Sequence, residues 1–169
     1  MYHYDSILGR LYIEMSRNTL YSLYWEDHKG FRPPRRSLPI PQTGEGINWV
    51  GHWLDVYFSG QPVDLRVLEE VDIHFEPQGT DYQEEVWKLL VNIPYGKIVS
   101  YAQLAQAYIQ AYGRPTSPRA VGSAVARNPI SIFIPCHRVI GADGSLTGYA
   151  GGMERKKFLL ELEGSFHER

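Results

Sequence analysis

The chain has 169 residues, of which 43% are hydrophobic, with 17 Lys/Arg against 19 Asp/Glu (formal net charge −2) and one cysteine. That length allows one domain or two small ones, with folding burying roughly 70% of the unfolded surface. The near-zero charge argues, on a whole-chain count, against a polyanionic partner. One cysteine excludes an intrachain disulfide, a zinc ribbon and an iron–sulfur cluster, and it fits a reducing compartment.

Met1 to Leu20 contains Asp5 and Glu14 and no apolar run, so no secretory signal is read there, and a cytoplasmic setting is expected. No stretch approaches the roughly 20 apolar residues that span a bilayer. Gly9–Met15 and Leu20–Trp25 are rich in aromatic and branched residues and predict strands joined by a hairpin turn at Ser16–Thr19. Phe31–Pro41, with four prolines, reads as a loop. Ile47, Val50, Leu54, Val56, Tyr57 and Phe58 predict an amphipathic helix closed by Gly60. Val71–Phe75 alternates like a strand, and a linker is expected near Glu76–Gly79.

The remainder predicts helices with marked starts. Thr80 with Gln83 forms a capping box that opens a helix with Tyr82, Val86, Leu89 and Leu90 inward. Ser100 with Gln103 repeats the device for a second helix through Leu104, Ala105, Tyr108 and Ile109. Ser117 caps a third, with Pro118 at its first position. Two short helices around a Gly/Pro turn, the second led by Arg119, look like a helix-turn-helix. The small side chains Ala120, Gly122, Ser123 and Ala124 allow either a close partner backbone or tight helix packing.

Charge is unevenly distributed. Residues 1–79 carry seven Lys/Arg and eleven Asp/Glu, while residues 80–169 carry ten and eight. From Lys97 to Ala142 there is no acid, and the window holds Lys97, Arg114, Arg119, Arg127 and Arg138. Such a window is an electrostatic footprint for a polyanion, unless acids from elsewhere cover that face.

Cys136 lies in Ile132–Ile140, where Cys136-His137-Arg138 interrupts two apolar, strand-like runs. A lone cysteine is commonly a small buried hydrophobe. Here two cationic neighbours follow directly, and cations lower a thiol's pKa from about 8.5. Neighbours on an extended strand face opposite ways, so His137 would reach the sulfur through a water.

Ile134-Pro135-Cys136-His137-Arg138-Val139 resembles the active-site signature of the DNA alkyltransferases that repair O6-alkylguanine, the methylated-DNA–protein-cysteine methyltransferase family. The resemblance runs through the C-terminal half: Val86-Trp87 to Gly96, Val99-Ser100-Tyr101, Arg119–Gly122, Asn128-Pro129, Gly148–Gly152, and Leu159-Leu160 with Glu163-Gly164. It implies an α+β fold. Residues 1–76 would form a small N-terminal α/β domain with an antiparallel, ribonuclease H-like sheet. Residues 77–169 would form a mostly helical DNA-binding and alkyltransferase domain with a helix-turn-helix.

The resemblance also implies roles. Cys136 would attack the alkyl carbon, His137 would take the thiol proton through a water, and Glu163 would orient that imidazole, following the logic of an activated nucleophile. Asn128 would brace the active-site turn. Tyr101 would push the 3′ phosphate and donate a proton to the leaving guanine. Val139 would read the base's exocyclic amine through its carbonyl, and Tyr149 and Ala150 would close over the flipped base. Arg119 would fill the vacated stack from a helix docked in the minor groove, with Ala120, Gly122, Ser123 and Arg127 on the DNA face.

Some relatives bind zinc in the N-terminal domain. Here that domain has no cysteine and its His3, His28, His52 and His74 are scattered, so no metal and no cofactor are expected. The implied activity is direct-reversal repair of O6-methylguanine, and of O4-methylthymine, in double-stranded DNA. It would be a single suicidal turnover by a monomer that needs no protein partner or membrane and sits on the nucleoid when bound. An alkyltransferase-like protein that recognises damage without transfer is the alternative, but those relatives lack the acceptor cysteine. A cysteine hydrolase would rest on Cys136 and His137 alone.

Overall fold

The structure is a computed structural model and describes residues 1–42 and 46–166. The chain divides into two compact units, Met1–Gln78 and Gly79–Arg169.

In the first unit, five strands among the described residues form one sheet, in the order β4-β1-β2-β3-β5. The long strands β1 (Tyr2–Ser6), β2 (Gly9–Ser16) and β3 (Thr19–Trp25) pair antiparallel. At the edges, β4 (Leu38–Pro39) runs parallel to β1, and β5 (His74–Phe75) runs parallel to β3. The sheet is therefore mixed, not purely antiparallel as expected. The β2–β3 hairpin closes where predicted, with Ser16 opposite Thr19 and Arg17 at φ 52. Leu11, Ile13, Leu20, Leu23 and Trp25 are buried, as are Val50, Leu54 and Tyr57 of α1 (Gly46–Phe58).

One strand is additional to those expected, and two local expectations change. Tyr2–Ser6 is a strand although its alternation is of polar and aromatic residues rather than branched ones. Leu38–Pro39 pairs with β1 inside the segment read as a loop. The strand expected at Val71–Phe75 shrinks to His74–Phe75, because helix α2 (Arg66–Glu70) ends at Val71 and Asp72 turns the chain at φ 61.

The second unit is built on helices α3 (Asp81–Val91), α4 (Tyr101–Tyr112), α5 (Pro118–Ala126) and α6 (Met153–Leu162). Both predicted capping boxes form with reciprocal hydrogen bonds, Thr80 with Gln83 and Ser100 with Gln103. Ser117 caps α5 by accepting from the Ala120 amide. Trp87 on α3 is buried and its indole N–H donates to the Ala124 carbonyl at 2.8 Å, tying α3 to the end of α5. Short parallel strands β6 (Val99–Ser100) and β7 (Val139–Ile140) join the start of α4 to the chain just after Cys136. Among the described residues, no helix is long and apolar enough to cross a membrane.

Candidate active site

The backbone around Cys136 is not extended. Cys136–Arg138 form a 3-10 turn, entered through Pro135, and only Val139–Ile140 continue as strand. Asn128 accounts for the difference. Fully enclosed between α5 and this turn, it donates from Nδ2 to the Ile130 and Ile134 carbonyls (3.2 and 2.8 Å) and accepts from the Ile130 amide (3.0 Å). These three bonds fold residues 128–134 back on themselves, which a strand's outward-pointing carbonyls would not allow. Within this segment Ile132 sits at φ 70, a left-handed conformation costly for a β-branched side chain, and its burial among apolar neighbours holds it there.

On the turn, His137 and Arg138 point into one acid. His137 is completely buried, with Nε2 2.8 Å from Glu163 Oε1. Arg138 forks onto the same carboxylate, Nε to Oε2 and Nη2 to Oε1, both at 2.8 Å. Its Nη1 donates to the Ile93 carbonyl at 2.7 Å, and its guanidinium lies 5.7 Å from the centre of the Tyr95 ring. Glu163 follows the last residue of α6, so the helix end sets the carboxylate's position.

Burial works to raise the Glu163 carboxyl, but the charges and hydrogen bonds of His137 and Arg138 outweigh it and hold the group at about 2. Burial pushes His137 below its ordinary value against the pull of Glu163, leaving a neutral ring at neutral pH. With the imidazole neutral, Arg138 is the partner that keeps Glu163 ionised, since a guanidinium does not lose its proton in a protein. Among the described residues, the buried His137 Nδ1 has no hydrogen-bond partner.

The Cys136 thiol is buried, and burial pushes its pKa up; a hydrogen bond from Asn128 and the charge of Lys156 oppose that rise. This reverses the expectation of a thiol acidified by its sequence neighbours, because Arg138 is spent on Glu163 and His137 is neutral. The cation that acts on the sulfur is Lys156, on α6, which sequence reasoning missed. Its side chain is fully buried, with Nζ donating to the carbonyls of Val139 and of Thr147 (the latter at 2.7 Å). Burial lowers its pKa to about 8, so it remains mostly charged at neutral pH. A periodicity signal was present: Lys156 is in phase with buried Leu159, Leu160 and Glu163 along α6.

Tyr101, the first residue of α4, is half-buried. Its hydroxyl donates to the Thr147 carbonyl at 3.0 Å, and its ring centre lies 5.9 Å from Lys156 Nζ. Burial raises its pKa, so it is a protonated phenol at neutral pH. A Cβ on Gly122 of α5 would lie 3.5 Å from that ring, and one on Gly148 would meet the hydroxyl at 2.8 Å. Tyr149 (buried) and Ala150 (half-buried) lie on the loop between β7 and α6, which the Thr147 carbonyl anchors to Tyr101 and Lys156.

The structure thus gathers Cys136, His137, Glu163, Asn128, Tyr101 and Val139 around one network that also holds Arg138 and Lys156. Arg119, Ser123 and Arg127 lie apart from that network, exposed on the face of α5 opposite buried Val121, Ala124 and Val125; Ala120 and Gly122 are half-buried.

Residues 81–165 match the family model described as 6-O-methylguanine DNA methyltransferase, DNA binding domain. The chain is 44% identical over 140 residues to a methylated-DNA–protein-cysteine methyltransferase of Methanosarcina barkeri, covering 80% of this chain and 82% of that protein. It is 50% identical over 132 residues to the protein of that name from Mycobacterium tuberculosis, covering 78% and 73%. Among solved structures, it is similar to the crystal structure of Mycobacterium tuberculosis OGT in complex with DNA, with a TM-score of 0.79 and 38% identity, covering 96% of this chain and 91% of that one.

Proposed function

Because the chain belongs to the methylated-DNA–protein-cysteine methyltransferase family, we propose that it repairs duplex DNA by moving the methyl group of O6-methylguanine, and of O4-methylthymine, onto its own Cys136. The observation that carries this reading is the buried thiol next in chain to a neutral imidazole whose Nε2 is held by Glu163 and whose Nδ1 is left to accept a proton. A thiol kept protonated by burial needs a base, and a neutral His137 oriented by an ionised acid is one. Sγ attacks the methyl carbon, the S–C bond forms as the C–O6 bond breaks, and the thiol proton passes through a water to His137. The departing guanine takes a proton from the Tyr101 phenol, which is restored from the imidazolium. We read the thioether as the end point, so that each molecule acts once, without metal or cofactor.

To reach Cys136 the base must leave the duplex, at a cost of a few kcal/mol in unstacking. We read α4 and α5 as a helix-turn-helix in which α5 enters the minor groove. The small faces of Ala120, Gly122 and Ser123 permit the close approach, Arg119 fills the vacated stack and Arg127 neutralises a phosphate. Tyr149 and Ala150 close over the base. The Val139 carbonyl accepts from Lys156 and retains a second lone pair for the base's amine. Residues 77–169 carry the chemistry, and residues 1–76, with a ribonuclease H-like sheet, are a structural domain. A monomer suffices, acting in the cytoplasm wherever it meets damaged DNA.

A titration tests the stoichiometry. With excess duplex carrying O6-methylguanine, repaired guanine should plateau at one equivalent per protein. Continued repair beyond that plateau would contradict suicide transfer, and tight lesion binding with no repair would favour the damage-recognition alternative.

A further inference from the structure

The acid-free window counts Arg114 among the cations facing DNA, but the structure commits its charge elsewhere. Gly113 ends α4 in a left-handed conformation (φ 65), and Ser117 caps α5 four residues later. The side chains of the intervening linker are tied to α3 at two points. Arg114 Nη2 lies 2.5 Å from both carboxylate oxygens of Glu85, and the Thr116 hydroxyl is 2.6 Å from the Tyr82 hydroxyl. The Tyr108 hydroxyl, on α4, donates to Glu85 Oε2 at 2.6 Å. The Arg114 guanidinium also lies 5.8 and 5.7 Å from the ring centres of Tyr108 and Tyr112, and Tyr82 meets Tyr108 edge-on at 5.1 Å. Hydrogen bonds from Arg114, then from Tyr108, draw Glu85 below the usual carboxylate range, so the pair stays ionised.

We infer that Arg114 is a positioning residue and not a phosphate contact: with Glu85 it locks the α4–α5 linker onto α3 and so sets where α5 presents Arg119. The inference rests on the reading of α5 as the DNA-facing helix. A guanidinium already matched by a carboxylate releases few counterions from DNA, whereas Arg119 and Arg127 form no ion pair among the described residues. The linker's glycine and proline end one helix and start the next without fixing the angle between them. The α3 contacts supply that constraint from two independent side chains.

A binding cycle on the full-length protein separates the two roles, read by fluorescence anisotropy with a labelled undamaged duplex over a series of salt concentrations. Arg114→Ala and Glu85→Gln should each weaken binding, by about fivefold on the scale of a partly exposed ion pair. The double variant should bind no worse than the weaker single, because both changes break one constraint. The slope of log K against log salt should stay at the wild-type value, and the saturated rate of methyl transfer to Cys136 should be unchanged. Thr116→Val, which alters no charge, should weaken binding in the same sense and serves as the probe if a Glu85 variant fails to fold. A slope shallower by about one for Arg114→Ala, with Glu85→Gln binding as well as or better than wild type, would make Arg114 a phosphate contact and overturn the inference. Unchanged binding in all variants would also overturn it. Failure of the wild-type protein to bind the duplex would instead sink the functional reading itself.

Discussion

The buried network around Cys136 and the exposed face of α5 treat charge in opposite ways. Around the thiol, Arg138 is forked onto Glu163 and Lys156 is capped by two carbonyls, so every cation has an internal partner. On α5, Arg119 and Arg127 stand in solvent and form no ion pair among the described residues. The same residue type therefore serves as scaffold in one place and as surface charge in the other. Of the five cations in the acid-free window, Arg138 and Arg114 are matched by acids outside it, Glu163 and Glu85. Among the described residues, Lys97, Arg119 and Arg127 remain as exposed, unmatched charge. A run of basic residues overstates the field a protein presents, because the acids that cancel it arrive from other helices.

The sharpest way to break this contrast is Cys136→Ala. It should abolish methyl transfer while leaving the affinity for undamaged duplex unchanged, since the α5 face is untouched; loss of DNA binding would mean that the two regions are one. Next in size, Arg138→Met strands a buried carboxylate and should cost about 3–5 kcal/mol in urea denaturation, whereas Arg127→Ala should stay within about 0.5 kcal/mol. Acid should attack the buried region selectively. Glu163 is held at about 2 against an ordinary 4.5, so its contribution is fully present above pH 4.5 and is lost as pH falls toward 2. The shift corresponds to at most about 3 kcal/mol. His137, depressed below 6.5, adds a loss in the same direction as pH falls below that value. Glu163→Gln should flatten the dependence between pH 4.5 and 2, and an unaltered acid profile would show the carboxylate to be unimportant.

Gly148→Ala probes the join between the loop and Tyr101. The position has φ +73 and a Cβ there would meet the Tyr101 hydroxyl, so a cost of about 1–2 kcal/mol is expected, with slower transfer and intact duplex affinity. The smallest effect belongs to the α5 face. Arg127→Ala should reduce the salt slope of DNA binding by about one, and Arg119→Ala should weaken binding to the damaged duplex, neither with a change in melting temperature.

How much of this was legible in the sequence follows from how local each signal is. Capping boxes, the Ser117 cap and the β2–β3 hairpin depend on residues a few positions apart, and all formed where the pattern placed them. The turn at Cys136 did not look like one. Its flanks are branched and apolar, and what bends it is the Asn128 amide reaching six residues ahead to Ile134. Helix α2 is only five residues long, too short for periodicity to register. Cys136, His137 and Glu163 were nameable because their motifs are. Lys156 was hidden inside Arg155-Lys156-Lys157, which reads as a solvated face until α6 is phased by its buried leucines. The direction of the thiol's shift was misread for a related reason: adjacency in sequence does not say which partner a cation has.

The most direct test of the account is the intact mass of the protein, with peptide mapping, after incubation with a duplex carrying O6-methylguanine. The account predicts the mass of one methyl group, located on Cys136, in proportion to the guanine restored. An unmodified Cys136 beside restored guanine, or a methyl group on any other residue, would contradict it.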